Sequence, residues 1–75
     1  MDENEFLKSF EENILKGEKL DMDTDLTELA RWDSVAVVSF IAWVDLDYGL
    51  RLNPLEVDTA ATVRELYELV QEARE

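Results

Sequence analysis

Hydrophobic positions fall at helical spacing along most of the chain. Phe6, Phe10 and Ile14 recur every four residues with Leu7 beside them, which predicts an amphipathic helix from about Glu3 to Lys16. Its acidic residues lie early and Lys16 lies late, as the helix dipole prefers, and Gly17 is a stop. A long connection follows, from Gly17 to Trp32. Leu20, Met22, Leu26 and Leu29 are spread through it, so it is expected to pack on the core, with a helical turn around Leu26 to Ala30. Connections of this length often signal function. A second helix is predicted from Ser34 to about Tyr48, with Asp33 and Ser34 both suited to its N-cap and Gly49 to its C-cap. The β-branched run Val35-Ala-Val-Val-Ser-Phe-Ile also suits a strand. A lone strand has no partner in a chain that otherwise reads helical, and both ends carry helix punctuation. Pro54 starts a short third helix, around Pro54 to Val57. Thr62-Val-Arg-Glu65 matches a capping box that opens a fourth helix, with Val63, Leu66, Tyr67 and Val70 on its apolar face. The expected fold is all-α: a small antiparallel four-helix bundle with a long first loop and a short third helix.

The second helix departs from simple amphipathicity. On a wheel, Val37, Phe40, Ile41, Val44 and Tyr48 form the natural core face. Val35, Val38, Ala42 and Leu46 fall largely on the other side, with Ser39 and Asp45, and Trp43 lies between the stripes. Three other helices cannot cover such a helix on every side. Part of the second stripe is therefore expected in solvent as a docking surface. The alternatives are that the long loop folds over it or that the chain dimerises through it.

Composition narrows the chemistry. With 75 residues the chain is expected to be one domain, spanning 1–75. A domain this size buries only about 60% of the surface its unfolded chain exposes, so a surface site is favoured over a deep cavity. Cysteine and histidine are both absent. That excludes disulfides, thiolate chemistry, Ser-His and Cys-His catalysis and nearly every zinc site. Any reactive thiol must come from outside. Nineteen acidic residues against 7 basic give a net charge of −12. Such a chain repels nucleic acid and anionic membrane and is drawn to basic partners, although acidity also serves solubility alone. At 47% hydrophobic it is no disordered tail. Residues 1–5 are acidic, the wrong sign for a secretory leader, and the longest apolar run, Val35 to Val44, is about half the ~20 residues of a membrane span. A cytoplasmic protein, monomeric and without membrane or nucleic-acid partners, is expected.

The residues at the junction of long loop and second helix are Asp33-Ser34-Val35. A serine there is by itself more often a cap than a site. The helix N-terminus nevertheless favours an anion, so a phosphodiester on the hydroxyl would sit in a favourable field, partly offset by Asp33. Asp21-Met-Asp23-Thr-Asp25 has the alternating start of a calcium loop, but Leu26 stands where glycine is needed and Trp32 where a bidentate glutamate is needed. No metal site is expected.

Trp32-Asp33-Ser34-Val35 resembles the Asp-Ser-Leu attachment motif of phosphopantetheine-binding carrier proteins, the stand-alone acyl carrier proteins in particular. Asp47-Tyr48-Gly49 resembles the close of their second helix, Leu52-Asn53-Pro54 the approach to their short third helix, and Thr62 to Tyr67 the start of their last. The resemblance spans Leu26 to Val70. It implies a 4'-phosphopantetheine arm moved by a phosphopantetheinyl transferase from coenzyme A onto Ser34, holding acyl groups as thioesters. It implies that Asp33 helps the transferase engage, that Val35, Val38 and Ala42 form an apolar contact face, and that Asp45, Asp47, Glu56 and Asp58 meet basic residues of acyl-transferring, condensing or ligase enzymes. Such a carrier is not itself an enzyme. The resemblance implies a fatty-acid-like or a dedicated secondary or lipid pathway. Val35 replaces the usual leucine, and Ala36 and Ser39 stand where fatty-acid-synthesis members are often acidic, which points away from general fatty acid synthesis and toward a dedicated pathway with its own small set of enzymes. An aminoacyl or peptidyl carrier is the nearest alternative. Two readings of other classes stand beside it: an acidic interaction module with no prosthetic group, and a hydrolase using Ser34, which lacks a nearby base.

Overall fold

Side-chain caps start four helices, a glycine closes the second, and aromatic rings hold them together. The computed structural model describes residues 2–74. Helix α1 spans Glu3–Asn13, α2 Ser34–Tyr48, α3 Pro54–Thr59 and α4 Val63–Arg74. The long connection contains one turn of 3-10 helix, Leu26–Glu28. Among the described residues there is no strand, only an isolated bridge between Asp25 and Thr62. The fold is therefore the expected small all-α bundle.

Each helix begins on a side-chain acceptor. Asp2 accepts from the Glu5 N–H at 2.8 Å, and Asn53 from the Leu55 N–H at 2.9 Å. The Thr62–Glu65 capping box forms in both directions: Glu65 N–H donates to Thr62 Oγ1 at 3.3 Å, and Thr62 N–H to Glu65 Oε2 at 3.1 Å. Gly49 closes α2 with φ of 68°, a left-handed conformation that costs glycine little.

Two expectations about α1 need correction. The helix stops at Asn13, and the chain turns so that Leu15 is fully buried, a gain that continuing the helix to Lys16 would forfeit. Gly17, at φ 92°, completes this turn rather than ending the helix directly. Lys16 thus lies outside the helix and does not complement its dipole; the last turn carries no basic residue. In α3 the helix runs two residues past the predicted Val57.

Every aromatic residue of the chain joins one cluster. Phe6 and Phe10 of α1 lie 5.9 Å apart, centroid to centroid. Phe40 of α2 stands 5.4 Å from Phe10, Trp43 6.0 Å from Phe6, and Tyr67 of α4 5.3 Å from Phe6. Trp32 joins through Phe10 and Phe40, and Tyr48 through Trp43 at 5.6 Å. Such edge and tilted contacts add about 0.5–1.5 kcal/mol per pair beyond burial. Trp43 is therefore a core residue, and its buried indole N–H finds no acceptor among the described residues. Ala36 is buried too, so the core face of α2 is broader than the wheel suggested, while Ile41 and Tyr48 are only half-buried. Burial, reinforced by the carboxylates of Asp47 and Glu5, raises the Tyr48 phenol above its ordinary pKa.

The long connection packs as expected. Leu20, Met22 and Leu26 are buried, and its backbone is fastened to the start of α4: Leu26 N–H donates to the Ala61 carbonyl at 2.8 Å and Arg64 N–H to the Met22 carbonyl at 2.9 Å. The Arg64 guanidinium pairs with Glu3 at 3.3 Å and Asp23 at 3.5 Å, tying α1, the connection and α4. These pairs are exposed and contribute about 0–1 kcal/mol each.

Phe40 is fully buried among rings of α1, α2 and the connection. We expect Phe40→Ala to lose about 3–5 kcal/mol, a large share of the roughly 5–10 kcal/mol available to a domain of this size. A urea titration followed by circular dichroism measures the loss. The net charge of −12 makes the fold self-repelling, so the melting temperature is expected to rise by several degrees between about 0.02 and 0.5 M KCl. A melting temperature indifferent to salt would show that self-repulsion is negligible.

Candidate functional site

The approach to Ser34 is held at two successive residues. Arg31 Nη1 donates to the Lys16 carbonyl at 2.6 Å and pairs with Glu18 at 3.7 Å, which fixes the end of the connection to its beginning. The Trp32 ring stands 5.8 Å from Phe10 and 6.0 Å from Phe40, and the Trp32 backbone N–H donates to the Leu29 carbonyl at 3.0 Å. The backbone therefore reaches Asp33 at a defined point and turns there from extended to helical.

Which residue caps α2 decides how Ser34 is read. Asp33 has extended dihedrals, and its Oδ1 accepts from the Ala36 N–H at 2.9 Å. Its carbonyl accepts from the Val37 N–H at 3.0 Å. Asp33 is thus the cap, and Ser34 is the first helical residue, solvent-exposed, with a hydroxyl that makes no hydrogen bond among the described residues. The backbone N–H groups of Ser34 and Val35 likewise have no acceptor there, as the geometry of a helix N-terminus requires. A free hydroxyl beside free N–H groups and the positive end of a helix fits a phosphodiester.

Ser34 stands beside two open grooves. One, of about 280 Å³, is lined by Ser34, Val37, Val38, Pro54, Leu55 and Asp58, where α2 packs on α3. The other, of about 350 Å³, lies on the opposite side, between Ile14, Leu15 and Arg31 on one wall and Asp33, Val35, Ala36 and Ser39 on the other. Val35 is 71% exposed, Val38 66% and Leu55 70%. Ala42, Asp45, Asp47, Glu56 and Asp58 are exposed as well.

The structure gathers some of the sequence-predicted residues and separates others. Val38 and Asp58 share the first groove with Ser34. Asp45 and Asp47 lie at the far end of α2. Glu56 lines a different face, with Glu65, Glu68 and Glu72 of α4. Leu55 was not anticipated. Its signal was available, since a helix of six residues whose Val57 faces inward must turn Leu55, two positions earlier, outward. Ala36 bears on the pathway expectation. It is buried, so its lack of charge says nothing about partners, and only the exposed Ser39 distinguishes this face from an acidic one.

Two other chemistries find no support. Asp21 accepts from the Asp23 N–H, and Asp25 from the Thr27 N–H, both as ordinary turn acceptors. Among the described residues no group of acidic side chains is arranged to hold a metal ion. The one titratable side chain lining the α2–α3 groove with Ser34 is Asp58, and no base is hydrogen-bonded to the serine hydroxyl. No helix among the described residues is long and apolar enough to cross a membrane.

A family model described as "Phosphopantetheine attachment site" matches residues 11–70. Comparison with curated proteins and with solved structures gives no match. The match covers most of the chain, which therefore belongs to the phosphopantetheine-binding carrier family. Domains of this family are the site of covalent 4'-phosphopantetheine attachment, and carriers of this kind are generally not catalysts.

The capping geometry makes an asymmetric prediction. Asp33→Ala is expected to cost about 1 kcal/mol of stability, because it removes the acceptor for the Ala36 N–H. Ser34→Ala is expected to change stability by less than about 0.5 kcal/mol. Paired denaturation curves decide it, and the reverse order would make Ser34 the cap.

Proposed function

We propose that Ser34 bears the 4'-phosphopantetheine arm of this carrier and that the protein uses it to deliver acyl intermediates, as thioesters, to partner enzymes. The observation that carries this reading is the division of roles at the start of α2. Asp33 performs the capping, so the Ser34 hydroxyl is left exposed and unbonded. A serine retained for helix stability would have its oxygen on a backbone N–H.

The arm supplies a terminal thiol, which the cysteine-free chain lacks. In the loading step the Ser34 oxygen forms a bond to the phosphorus of coenzyme A nearest the pantetheine, the phosphoanhydride breaks, and the adenine-nucleotide half departs. The hydroxyl proton goes to a base of the transferase, since none is hydrogen-bonded to Ser34 here. The resulting anion rests beside the free N–H groups of the first turn, which offset the charge of Asp33. Asp33 holds that turn and offers a carboxylate for the transferase to engage.

In this reading Val35, Val38 and Ala42 make the apolar contact with partners, and Asp45, Asp47, Glu56 and Asp58 meet their basic residues. Glu56 lines a different face from the groove, and this reading gives it a part only at the margin of that contact. Chemistry on the cargo belongs to the partners, and the chain itself attaches and presents. The uncharged Ser39 supports service in a dedicated secondary or lipid pathway with its own small set of enzymes.

Incubation with coenzyme A and a broad-specificity phosphopantetheinyl transferase is expected to add the mass of one phosphopantetheine. Ser34→Ala is expected to abolish the gain without unfolding the protein. A gain that persists in Ser34→Ala would refute the site, and no gain with several transferases would refute the attachment reading.

A further inference from the structure

The surface of α2 has an unexpected charge pattern. From Ser34 to Val44 the helix carries no charged side chain, although 35% of the chain's residues are charged. Val35, Ser39, Ala42 and Leu46 recur at steps of four, three and four, which places them in one line along the helix. All are exposed, and Val38 flanks them on the α3 side. Leu46, at 84% exposed, is the most exposed of the large apolar residues. It lies about 18 Å along the axis from Ser34, too far to belong to the immediate surroundings of the attachment point. The acid of this face is confined to its borders: Asp33 at the cap and Asp45 and Asp47 in the last turn of α2, and Asp58 on α3.

An exposed leucine at the remote end of an uncharged stripe has no role in the fold. The neighbouring elements do not cover it, and the long connection packs elsewhere. A second copy of the chain is a poor occupant. Self-pairing along α2 would bring the same acidic borders together in molecules that each carry −12. The complementary surface is an apolar strip with cations at its ends.

Building on the attachment reading, we propose that enzymes acting on this carrier grip it mainly through an uncharged apolar stripe running the length of α2, with Leu46 as a far anchor and the acid serving only as a steering rim. The partner surface presents an apolar strip about 16 Å long opposite Val35, Val38 and Leu46. Its basic groups lie beyond the strip, opposite Asp45 and Asp47 at one end and Asp33 and Asp58 at the other, and none faces the helix between Ser34 and Val44. Affinity then resides in apolar contact, and charge contributes mostly to the rate of encounter.

The transferase-catalysed loading of the apo protein is the probe, with its KM measured across KCl concentrations. Leu46→Ser and Val38→Ser are each expected to raise KM about three- to tenfold with kcat unchanged, at low and high salt alike. The Asp45→Asn/Asp47→Asn double variant is expected to raise KM less than about threefold, and only at low salt. A KM that stays within about twofold in Leu46→Ser would overturn the far anchor. A wild-type KM that climbs steeply with salt, and does so no longer in the double aspartate variant, would show charge-led docking instead. Sedimentation that reveals a dimer dispersed by Leu46→Ser would make the stripe a self-interface and overturn the proposal. Circular dichroism melts verify that each variant folds, and Leu46→Ala replaces Leu46→Ser if that variant does not. Absence of any loading of the wild type strikes at the attachment reading itself, so the two failures are distinct.

Discussion

The contact of Trp32 with Phe10 and Phe40 governs the rest of the architecture. It connects the end of a long irregular segment to the aromatic core immediately before α2 begins. Without it, the last residues of the connection would be held chiefly by Arg31, whose partners, the Lys16 carbonyl and the half-exposed Glu18, belong to the segment just after α1. Because the ring is fixed, Asp33 turns the chain at one place, its carboxylate meets the Ala36 N–H, and Ser34 becomes the first helical residue. The position of an exposed hydroxyl is thereby determined by packing several side chains away. This suits a site whose own residues must remain free.

The charge distribution follows from the same constraint. The described residues contain no buried polar or charged side chain, so the core is maintained by aliphatic and aromatic contacts alone. The acidic side chains of the described residues must all find room on the outside or in caps. Several act as local acceptors: Asp2, Asp33 and Glu65 at helix starts, Asp21 and Asp25 in turns, and Glu11, which accepts from the Leu20 N–H at 2.8 Å. In those positions a carboxylate satisfies a backbone donor that would otherwise need water. Acidity here is partly structural, and an estimate of partner attraction from net charge alone would overstate it.

Much of the fold was legible because its boundaries are written in local chemistry. Gly49, the Pro54 start and the Thr62–Glu65 box all act within a few residues of themselves, so sequence spacing suffices to find them. What sequence left ambiguous depends on distant contacts. Leu15 ends α1 early because the core receives it, which no pattern within α1 reveals. Trp43 could not be assigned a side, since α2 is apolar nearly all round and its periodicity gives no direction. The cap was ambiguous because Asp33 and Ser34 both suit it. The choice rests on where the backbone leaves the extended region, and Trp32 sets that point. The separation of Glu56 from Asp58 was missed for a simpler reason. Two positions apart on a helix lie about 200° apart, so the two carboxylates of so short a helix serve opposite faces.

The ambiguity of α2 and its function have one cause. A helix that must fill a core on one side and meet an apolar partner on the other cannot show a polar face, so it loses the pattern by which helices are recognised. It also loses intrinsic support. Val35, Val37, Val38, Ile41 and Val44 are β-branched and favour extended chain. Its conformation then relies on what surrounds it: the Asp33 cap, the left-handed Gly49, and the burial of Ala36, Val37, Phe40, Trp43 and Val44 against the rest of the bundle. Residues that serve an outside surface are thus held in helical form by residues that serve the inside. An exposed stripe of valine and leucine stays at helical spacing, rather than pairing as an edge strand, because the opposite face of the same helix is locked into the aromatic core.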